Sequence, residues 1–207
     1  MKTEQYPLAR RLYLYTIGTP NEPAARDLLK FALSDEAQPT IEDAEFIDQR
    51  VVLQDEQEQR NWSVSVSATP DQGLPAGKLV PREAVDDFTR FAYGARRSSV
   101  VFRFEKGSSQ LDTRALQDVG RLARFISARP GNKQFWIVGF TDADGSWGEN
   151  LRLGKQRADQ VSRELAKAGV RVTAQNVRSQ SYLAPTVCND TDAAKGKNRR
   201  VEVWLEK

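Results

Sequence analysis

The chain has 207 residues, 39% of them hydrophobic and 29% charged, so a packed core is expected and wholesale disorder is excluded. It contains no histidine, one cysteine and no run near the roughly 18 apolar residues of a transmembrane helix, which excludes histidine-dependent catalytic triads, histidine zinc sites, an internal disulfide and a membrane span. Residues 1–90 carry 10 basic and 16 acidic side chains, whereas residues 91–207 carry 21 and 12, which indicates two units and permits a polyanionic partner for the second.

The first unit is predicted to be a small α/β segment over residues 1–68. Its apolar stretch from Leu12 to Ile17 predicts a buried strand. A helix is expected to follow with Pro23 in its first turn, and a short second helix is expected to be interrupted near Pro39. The sequence "QRVVLQDEQEQRNWSVSVSA", residues 49–68, predicts one or two further strands.

Three stretches of this unit, "YPLARRLYLYT", "LLKFALSDEAQ" and "EFID", resemble the closing portion of the periplasmic phosphate-binding proteins of ABC transporters. The resemblance covers about fifty residues, and Ala37 stands where that family usually has glycine. It implies an alternative function as a periplasmic phosphate- or solute-binding component, with ABC transporter components or a missing N-terminal lobe as partners. The longer portion that binds phosphate in that family is absent, so no phosphate ligand is assigned.

Residues 69–97 are predicted to be a linker and a short helix, since "TPDQGLPAGKLVP" holds three prolines and two glycines in thirteen residues. Residues 98–207 are predicted to form a second domain of order βαβαββ. Its second helix is expected to run from about Trp147 to Ala168. The first is expected to bury one apolar face, made of Leu116, Val119, Leu122, Ala123 and Ile126. The fold class is therefore α/β, an α+β two-layer sandwich with helices on one side of a mixed sheet.

One acid and one base of this domain are expected to meet at an open cleft. Asp142 follows the strand "QFWIVGFT", and Asn150 and Arg157 lie on one stripe of the helix after it. Connections after the strands of α/β units are where ligands gather. A carboxylate that takes an ammonium group and a guanidinium that forks onto a carboxylate suit a small zwitterion.

The motifs "GFTDADG", "ENLRLGKQRADQV" and "NRRVEVWL" are similar, in order and spacing, to the peptidoglycan-binding domain of the OmpA family over roughly residues 98–207. The resemblance implies non-covalent binding of the diaminopimelate in the peptide stem of peptidoglycan. Asp142 would hold its ammonium group and Arg157 its carboxylate. The other residues implied are those that shape the pocket, Thr141, Asn150, Leu153 and Glu105, and those that brace its loops, Asn198, Arg199 and Arg200.

Three positions depart from the family's pattern. Phe140 stands where a histidine or tyrosine-like residue is usual, Gly154 where serine is usual, and Ser179 about where a glycine is expected. None of these departures touches the predicted pair of Asp142 and Arg157.

Other interpretations of the same residues are weaker. Asp142 and Arg157 could form a structural salt bridge. "DADG" lacks the glycine and glutamate spacing of a calcium loop, and "AAKGKNRR" leads into an alternating strand without the aromatic residues of a nucleic-acid site. Asp142 and Asp144 lie too close along one loop to act as a hydrolytic pair.

We therefore predict a binding module rather than an enzyme, with peptidoglycan as partner, no nucleic acid, no cofactor and no metal. The expected location is the periplasm or cell envelope. Because the first thirty residues hold no short apolar signal core, the chain is expected to be a fragment of a longer protein.

Overall fold

A computed structural model describes residues 15–46, 48–129 and 134–207, and it divides between Val52 and Leu53 into two compact units. The first unit holds helix α1 (Pro23–Ala32) and helix α2 (Gln38–Asp43), with no strand among its described residues. Tyr15 and Ile17, the described end of the predicted strand, are exposed and irregular, so the prediction of a buried strand is wrong there. The rest of that strand lies outside the described residues.

Both helices of the first unit have a proline in their first turn, a position that proline tolerates. Pro23 occupies the first turn of α1 and Pro39 the first turn of α2, where its missing N–H leaves no intrahelical bond unmade. Pro39 therefore starts the second helix rather than interrupting it. The buried Gln38 side chain donates to the Ser34 carbonyl over 2.9 Å and accepts from the Gln49 amide over 2.7 Å.

Among its described residues, the second unit contains a four-stranded sheet and five helices, with one 3-10 turn before the third strand. In chain order the elements are α3 (Glu56–Ala68), α4 (Arg82–Gly94), β1 (Ala95–Arg103), α5 (Thr113–Ser127), β2 (Phe135–Phe140), α6 (Trp147–Lys167), β3 (Val177–Ser179), α7 (Asp192–Asn198) and β4 (Arg200–Glu206).

The sheet has the order β1-β4-β2-β3. β4 runs antiparallel to both β1 and β2, and β3 runs parallel to β2. The predicted fold class, a mixed sheet with the order βαβαββ, is confirmed; the short helix α7 lies between the last two strands. No helix in the described ranges is long and apolar enough to cross a membrane.

One face of the sheet is covered by α5 and α6. The backbones of β2 and α6 meet at Gly139 and Gly154, where a Cβ atom on Gly139 would lie 2.0 Å from the Gly154 carbonyl oxygen. α5 begins after Asp112, whose carboxylate accepts from the Ala115 amide, and it buries Ala115 instead of the predicted Leu116, which is 46% exposed. The other buried hydrophobic residues of α5 are Val119, Leu122 and Ala123.

The prediction of strands within residues 49–68 is wrong, because α3 occupies most of that stretch. Alternation in "WSVSVSA" suggested a strand, but the Asp55 carboxylate accepts from the amides of the first helical turn and starts a helix. In that helix Val66 is buried and Val64 is exposed. The strand-like pairing in this stretch is one isolated β-bridge, between Leu53 and Ser98.

Helices α3 and α4 cover the second face of the sheet, a layer that was not predicted. The Trp204 ring lies 6.1 Å from Trp62 of α3 and 6.0 Å from Phe88 of α4, and Phe88 also packs edge-on against Phe140 at 6.0 Å. Because Phe140 and Gly139 are adjacent on β2, they point to opposite faces, with α4 on one side and α6 on the other. The predicted boundaries near residues 68 and 98 therefore fall inside this unit.

A buried charge network lies on this second face. Glu202 accepts from Arg97 over 3.1 Å, from Arg200 over 2.7 Å and from the Trp204 indole over 3.0 Å. Burial favours the protonated form of Glu202, but the two arginines outweigh it and hold the pKa of Glu202 below its ordinary value. Burial lowers the pKa of Arg200, and its Nη1 atom is buried with no partner among the described residues.

Candidate functional site

Most of the predicted site residues lie near the end of β2, where the loop after β1, the loop 141–146, α6 and the start of β4 meet. Asp142 is 6% exposed at the centre of this cluster. Its Oδ2 atom accepts from Arg199 Nη1 over 2.9 Å, and its Oδ1 atom accepts from the Asp144 amide over 3.2 Å. The carboxylate therefore has a cationic partner within the protein.

Arg157 lies beneath the loop after β1 and is fully buried. Its Nε atom donates to the Ser108 carbonyl over 3.0 Å and Nη2 to the Glu105 carbonyl over 3.3 Å, while the guanidinium carbon lies 5.4 Å from the Phe104 ring centre. Its Nη1 atom is buried and bonds to nothing in the described part of the chain. The guanidinium thus keeps one donor group unused.

Burial lowers the pKa of Arg157 to about 10, because a charged group loses solvation there. The Asp142 carboxylate opposes this shift, and the Arg199 guanidinium adds to it. A pKa of about 10 still leaves Arg157 charged at neutral pH. A buried charge without an anionic partner is costly, so this position favours an incoming anion.

The expected open cleft between Asp142 and Arg157 is absent from this structure. Asp142 forms its ion pair with Arg199, and Arg157 is capped by backbone carbonyls. The two side chains are close enough to influence each other electrostatically, but no ion pair joins them in the described ranges. The sequence spacing predicted that both groups lie at one end of the sheet. It could not show that backbone carbonyls cover Arg157.

Thr141 and Asn150 hold the loop that carries Asp142. The Thr141 amide donates to the Ser181 carbonyl over 2.8 Å, and its buried hydroxyl has no partner among the described residues. The Asn150 side chain donates to the carbonyls of Asp144, over 2.6 Å, and Ser146, over 3.0 Å. Asn150 therefore shapes the site by fixing its loop.

The remaining predicted pocket residues take different positions. Leu153 is half-buried on α6, one turn before Arg157. The Glu105 side chain is exposed, and its backbone carbonyl is what contacts Arg157.

The three predicted bracing residues divide between the two faces of the sheet. Asn198 accepts from Thr186 and donates to the Val187 carbonyl, which holds the loop before α7. Arg199 bonds to Asp142 and also to the Phe104 carbonyl, over 3.1 Å, so it belongs to the site itself. The structure does not bring Arg200 to the site: it points to the opposite face, with its guanidinium carbon 4.0 Å from the Phe140 ring centre.

Two lysines that sequence reasoning missed lie at the rim. Lys195 of α7 contacts Asp144 Oδ1 over 2.7 Å, and Lys106 contacts Asp144 Oδ2 over 3.4 Å. The Lys195 hydrogen bond, joined by Lys106, lowers the pKa of Asp144. Lys195 stands in "AAKGKNRR", but no site role was assigned to this lysine from the sequence, so only its position on α7 reveals the contact.

Two of the three departures from the family pattern meet in space. A Cβ atom on Gly154 would lie 2.4 Å from Ser179 Oγ. A serine at 154 together with a serine at 179 would therefore collide, whereas exchanging small and larger residues between these positions avoids the collision. The Ser179 hydroxyl is buried with no partner in the described residues.

Comparison with known proteins adds independent findings. Residues 103–200 match the OmpA family. The peptidoglycan-associated lipoprotein of Legionella pneumophila is 35% identical over 108 residues, 51% of this chain and 60% of that protein. The one of Pasteurella multocida is 30% identical over 125 residues, 60% of this chain and 78% of that protein. The outer membrane porin F of Pseudomonas fluorescens is 33% identical over 107 residues, covering 52% and 32%.

The chain thus spans less than two thirds of the Legionella and Pseudomonas fluorescens relatives. Among solved structures, the C-terminal domain of Helicobacter pylori MotB is 26% identical, covering 52% of this chain and 84% of that one, with a TM-score of 0.45. The peptidoglycan-associated lipoprotein from Burkholderia pseudomallei is 24% identical, covering 51% and 89%, with a TM-score of 0.45. The family match at 103–200 gives no support to the phosphate-binding-protein resemblance of residues 1–68, which stays a prediction.

Proposed function

The chain belongs to the OmpA family, and from this premise we propose that its second unit binds peptidoglycan without covalent chemistry and anchors a cell-envelope protein to the wall. Several relatives carry the name peptidoglycan-associated lipoprotein, which supports peptidoglycan as the partner. The role is binding rather than catalysis, and the periplasm is where that partner would be met.

The unused donor of Arg157 is the observation that carries the proposal. The cluster of Asp142, Arg157 and Arg199 holds two cations and one anion, and the one anion is bonded to Arg199. A ligand carboxylate at Arg157 Nη1 would satisfy the buried donor and balance the charge. Hydrogen bonds to charged groups are worth about 1.5–3 kcal/mol each, enough to select an anionic ligand.

The ligand we propose is the diaminopimelate of the peptidoglycan stem peptide, whose free end carries both an ammonium and a carboxylate group. Its carboxylate would bind Arg157. Its ammonium group would bind Asp142, because an ionised carboxylate has about four lone-pair sites and can accept from a ligand while it still accepts from Arg199. The site would then recognise both charged groups of the ligand and the distance between them.

Binding needs the loop after β1 to move. Arg157 is covered by the carbonyls of Glu105 and Ser108, so a ligand carboxylate would reach Nη1 only when this loop opens, and it would then also replace the Glu105 carbonyl at Nη2. A carboxylate is the stronger acceptor for a guanidinium, so this exchange is favourable once the loop has opened. Each site would bind modestly, and a repetitive wall polymer would add avidity.

Co-sedimentation with purified peptidoglycan sacculi tests the proposal. Arg157→Met and Asp142→Asn each remove one proposed ligand contact and keep similar side-chain size. We expect each to weaken binding about 10- to 100-fold, as the loss of one charge-assisted bond implies. Thermal unfolding of the same proteins shows whether they remain folded.

Matched controls remove the same charges elsewhere. Arg163→Met takes an exposed arginine from the same helix α6, and Asp190→Asn takes an exposed aspartate near α7. Both should sediment like the wild type. Folded Arg157→Met and Asp142→Asn proteins that bind sacculi as well as the wild type does would refute the proposed site, and a wild type that stays in solution would refute the function.

A further inference from the structure

The loop of residues 69–81, which we call the strap, contacts the loop 141–146, the binding loop that carries Asp142, although the strap lies before the part of the chain that matches the family. We propose that the strap is a working part of the ligand site, because Asn189 connects it to the backbone beside Asp142. This inference rests on the proposed function and names the residues that position the ligand-binding carboxylate.

The strap has a defined shape of its own. The Asp71 carboxylate accepts from the Val80 amide over 2.8 Å, which closes the loop across nine positions. Gly73 and Gly77 both take positive φ angles, 81° and 79°, which glycine adopts most easily. A composition rich in proline and glycine predicted a linker here, but these contacts make it an ordered turn.

Asn189 joins the strap to the binding loop through three hydrogen bonds. Its amide nitrogen and its Nδ2 atom both donate to the Gly73 carbonyl, over 2.9 and 3.1 Å. Its Oδ1 atom accepts from the Ala143 amide over 3.1 Å. Asn189 is buried, and Ala143 follows Asp142 directly. A single side chain thus connects the strap to the peptide unit beside the Asp142 carboxylate.

A second contact grips the same binding loop further along. The Lys78 ammonium donates to the Gly145 carbonyl and lies 5.5 Å from the centre of the Tyr182 ring. The Tyr182 hydroxyl donates in turn to the Leu79 carbonyl over 3.2 Å. The strap therefore holds the loop 141–146 at two points, Ala143 and Gly145, on either side of Asp144.

Asn189 and Gly73 act through Asp142, so they are positioning residues. Without the Asn189 side chain the Ala143 amide is left buried and unpaired, and the loop is free to shift the carboxylate away from the ligand's ammonium group. A misplaced binding group loses affinity even when the fold survives. The expected loss is about three- to tenfold, comparable to one neutral hydrogen bond.

The test measures sacculus affinity of the full chain for Asn189→Ala, for Asp142→Asn and for the double variant. If Asn189 acts by positioning Asp142, Asn189→Ala weakens binding in the wild-type background and has almost no further effect once Asp142 is changed. A general loss of stability would instead lower binding by the same factor in both backgrounds, and that result would overturn the inference.

A second pair of variants covers the case in which Asn189→Ala fails to fold. Gly73→Ala and Gly169→Ala each place a side chain at a positive φ angle, 81° and 90°. The new methyl group at Gly73 would meet Pro185 at 3.3 Å and Cys188 at 3.6 Å, whereas the one at Gly169, just after α6 and outside the strap, would meet nothing within 4 Å. We expect weaker sacculus binding for Gly73→Ala and unchanged binding for Gly169→Ala. If both variants bind sacculi as tightly as the wild type does, the proposed role of the strap is wrong while the proposed function stands; a wild type that does not bind would refute the proposed function and the role of the strap with it.

Discussion

Gly139→Ala tests whether the direct contact between β2 and α6 sets the position of Arg157. A Cβ atom on Gly139 would lie 2.0 Å from the carbonyl oxygen of Gly154 and 2.6 Å from its carbonyl carbon. Real Cβ contacts essentially never fall below 3.0 Å, so α6 would have to move by about 1 Å. Both partners are backbone atoms, and no change of side-chain rotamer can relieve the clash.

The size of the effect follows from this geometry. Overpacking a core lowers the free energy of unfolding by about 1–3 kcal/mol when side chains can adjust. Here only backbone atoms clash, so we expect Gly139→Ala to lower the free energy of unfolding by roughly 3 kcal/mol. Gly120→Ala on α5 is the matched control, since its nearest new neighbour, an Arg124 nitrogen, lies 3.9 Å away. Alanine is favoured over glycine in a helix interior by about 0.8–1 kcal/mol, so the control should be stabilised.

Urea unfolding followed by tryptophan fluorescence gives both free energies. Because Arg157 follows Gly154 by one helical turn, Gly139→Ala should also weaken sacculus binding in whatever fraction remains folded. A Gly139→Ala protein as stable as Gly120→Ala would refute the close packing of α6 on β2 and the placement of Arg157 that depends on it.

Three further outcomes are expected. Glu202→Gln should lose about 3–5 kcal/mol at neutral pH, because two buried arginines lose their anion. Since the folded-state pKa of Glu202 lies below the ordinary 4.5, ionised Glu202 stabilises the fold above that pH, and this stabilisation is lost as the pH falls. In urea unfolding across pH 3–7, the free energy of unfolding should therefore fall less steeply with acid for the variant than for the wild type. Gly154→Ser should destabilise the wild type and be tolerated with Ser179→Gly, with a coupling energy of roughly 0.5–3 kcal/mol in a double-mutant cycle. Residues 98–207 alone, without the two helices that cover the second sheet face, should lack a cooperative thermal transition that residues 53–207 retain; equal transitions would contradict the role of those helices.

The elements with strong periodicity could be predicted from the sequence. The structure confirms the predicted helix α6, whose sequence is capped and amphipathic, and the predicted strands at "QFWIVGFT" and "RRVEVWLE". In each of these stretches the local pattern favours one type of secondary structure. Residues 56–68 could not be predicted in this way, because alternation in "WSVSVSA" indicates a strand while the Asp55 cap and long-range packing of Trp62 decide for a helix. Tertiary context overrode a local pattern there.

Several residues of the candidate site could be named from the sequence, but their partners could not. Arg199 follows Asp142 by 57 positions, and only the meeting of β4 with the loop after β2 shows that these two side chains form the ion pair. The cover over Arg157 is made of backbone carbonyls, which carry no sequence signal. Asn189 was not among the predicted site residues, and its link to the strap depends on the folded loops.

A calorimetric titration tests most directly whether Arg157 receives a carboxylate. The ligand would be a soluble stem peptide whose diaminopimelate carboxyl group is either free or amidated, so that the two forms differ in one charge. We predict that the free form binds about tenfold or more tightly to the wild type, and that Arg157→Met removes this preference. Equal affinity of the wild type for the two forms would contradict the proposal that this buried guanidinium holds the ligand.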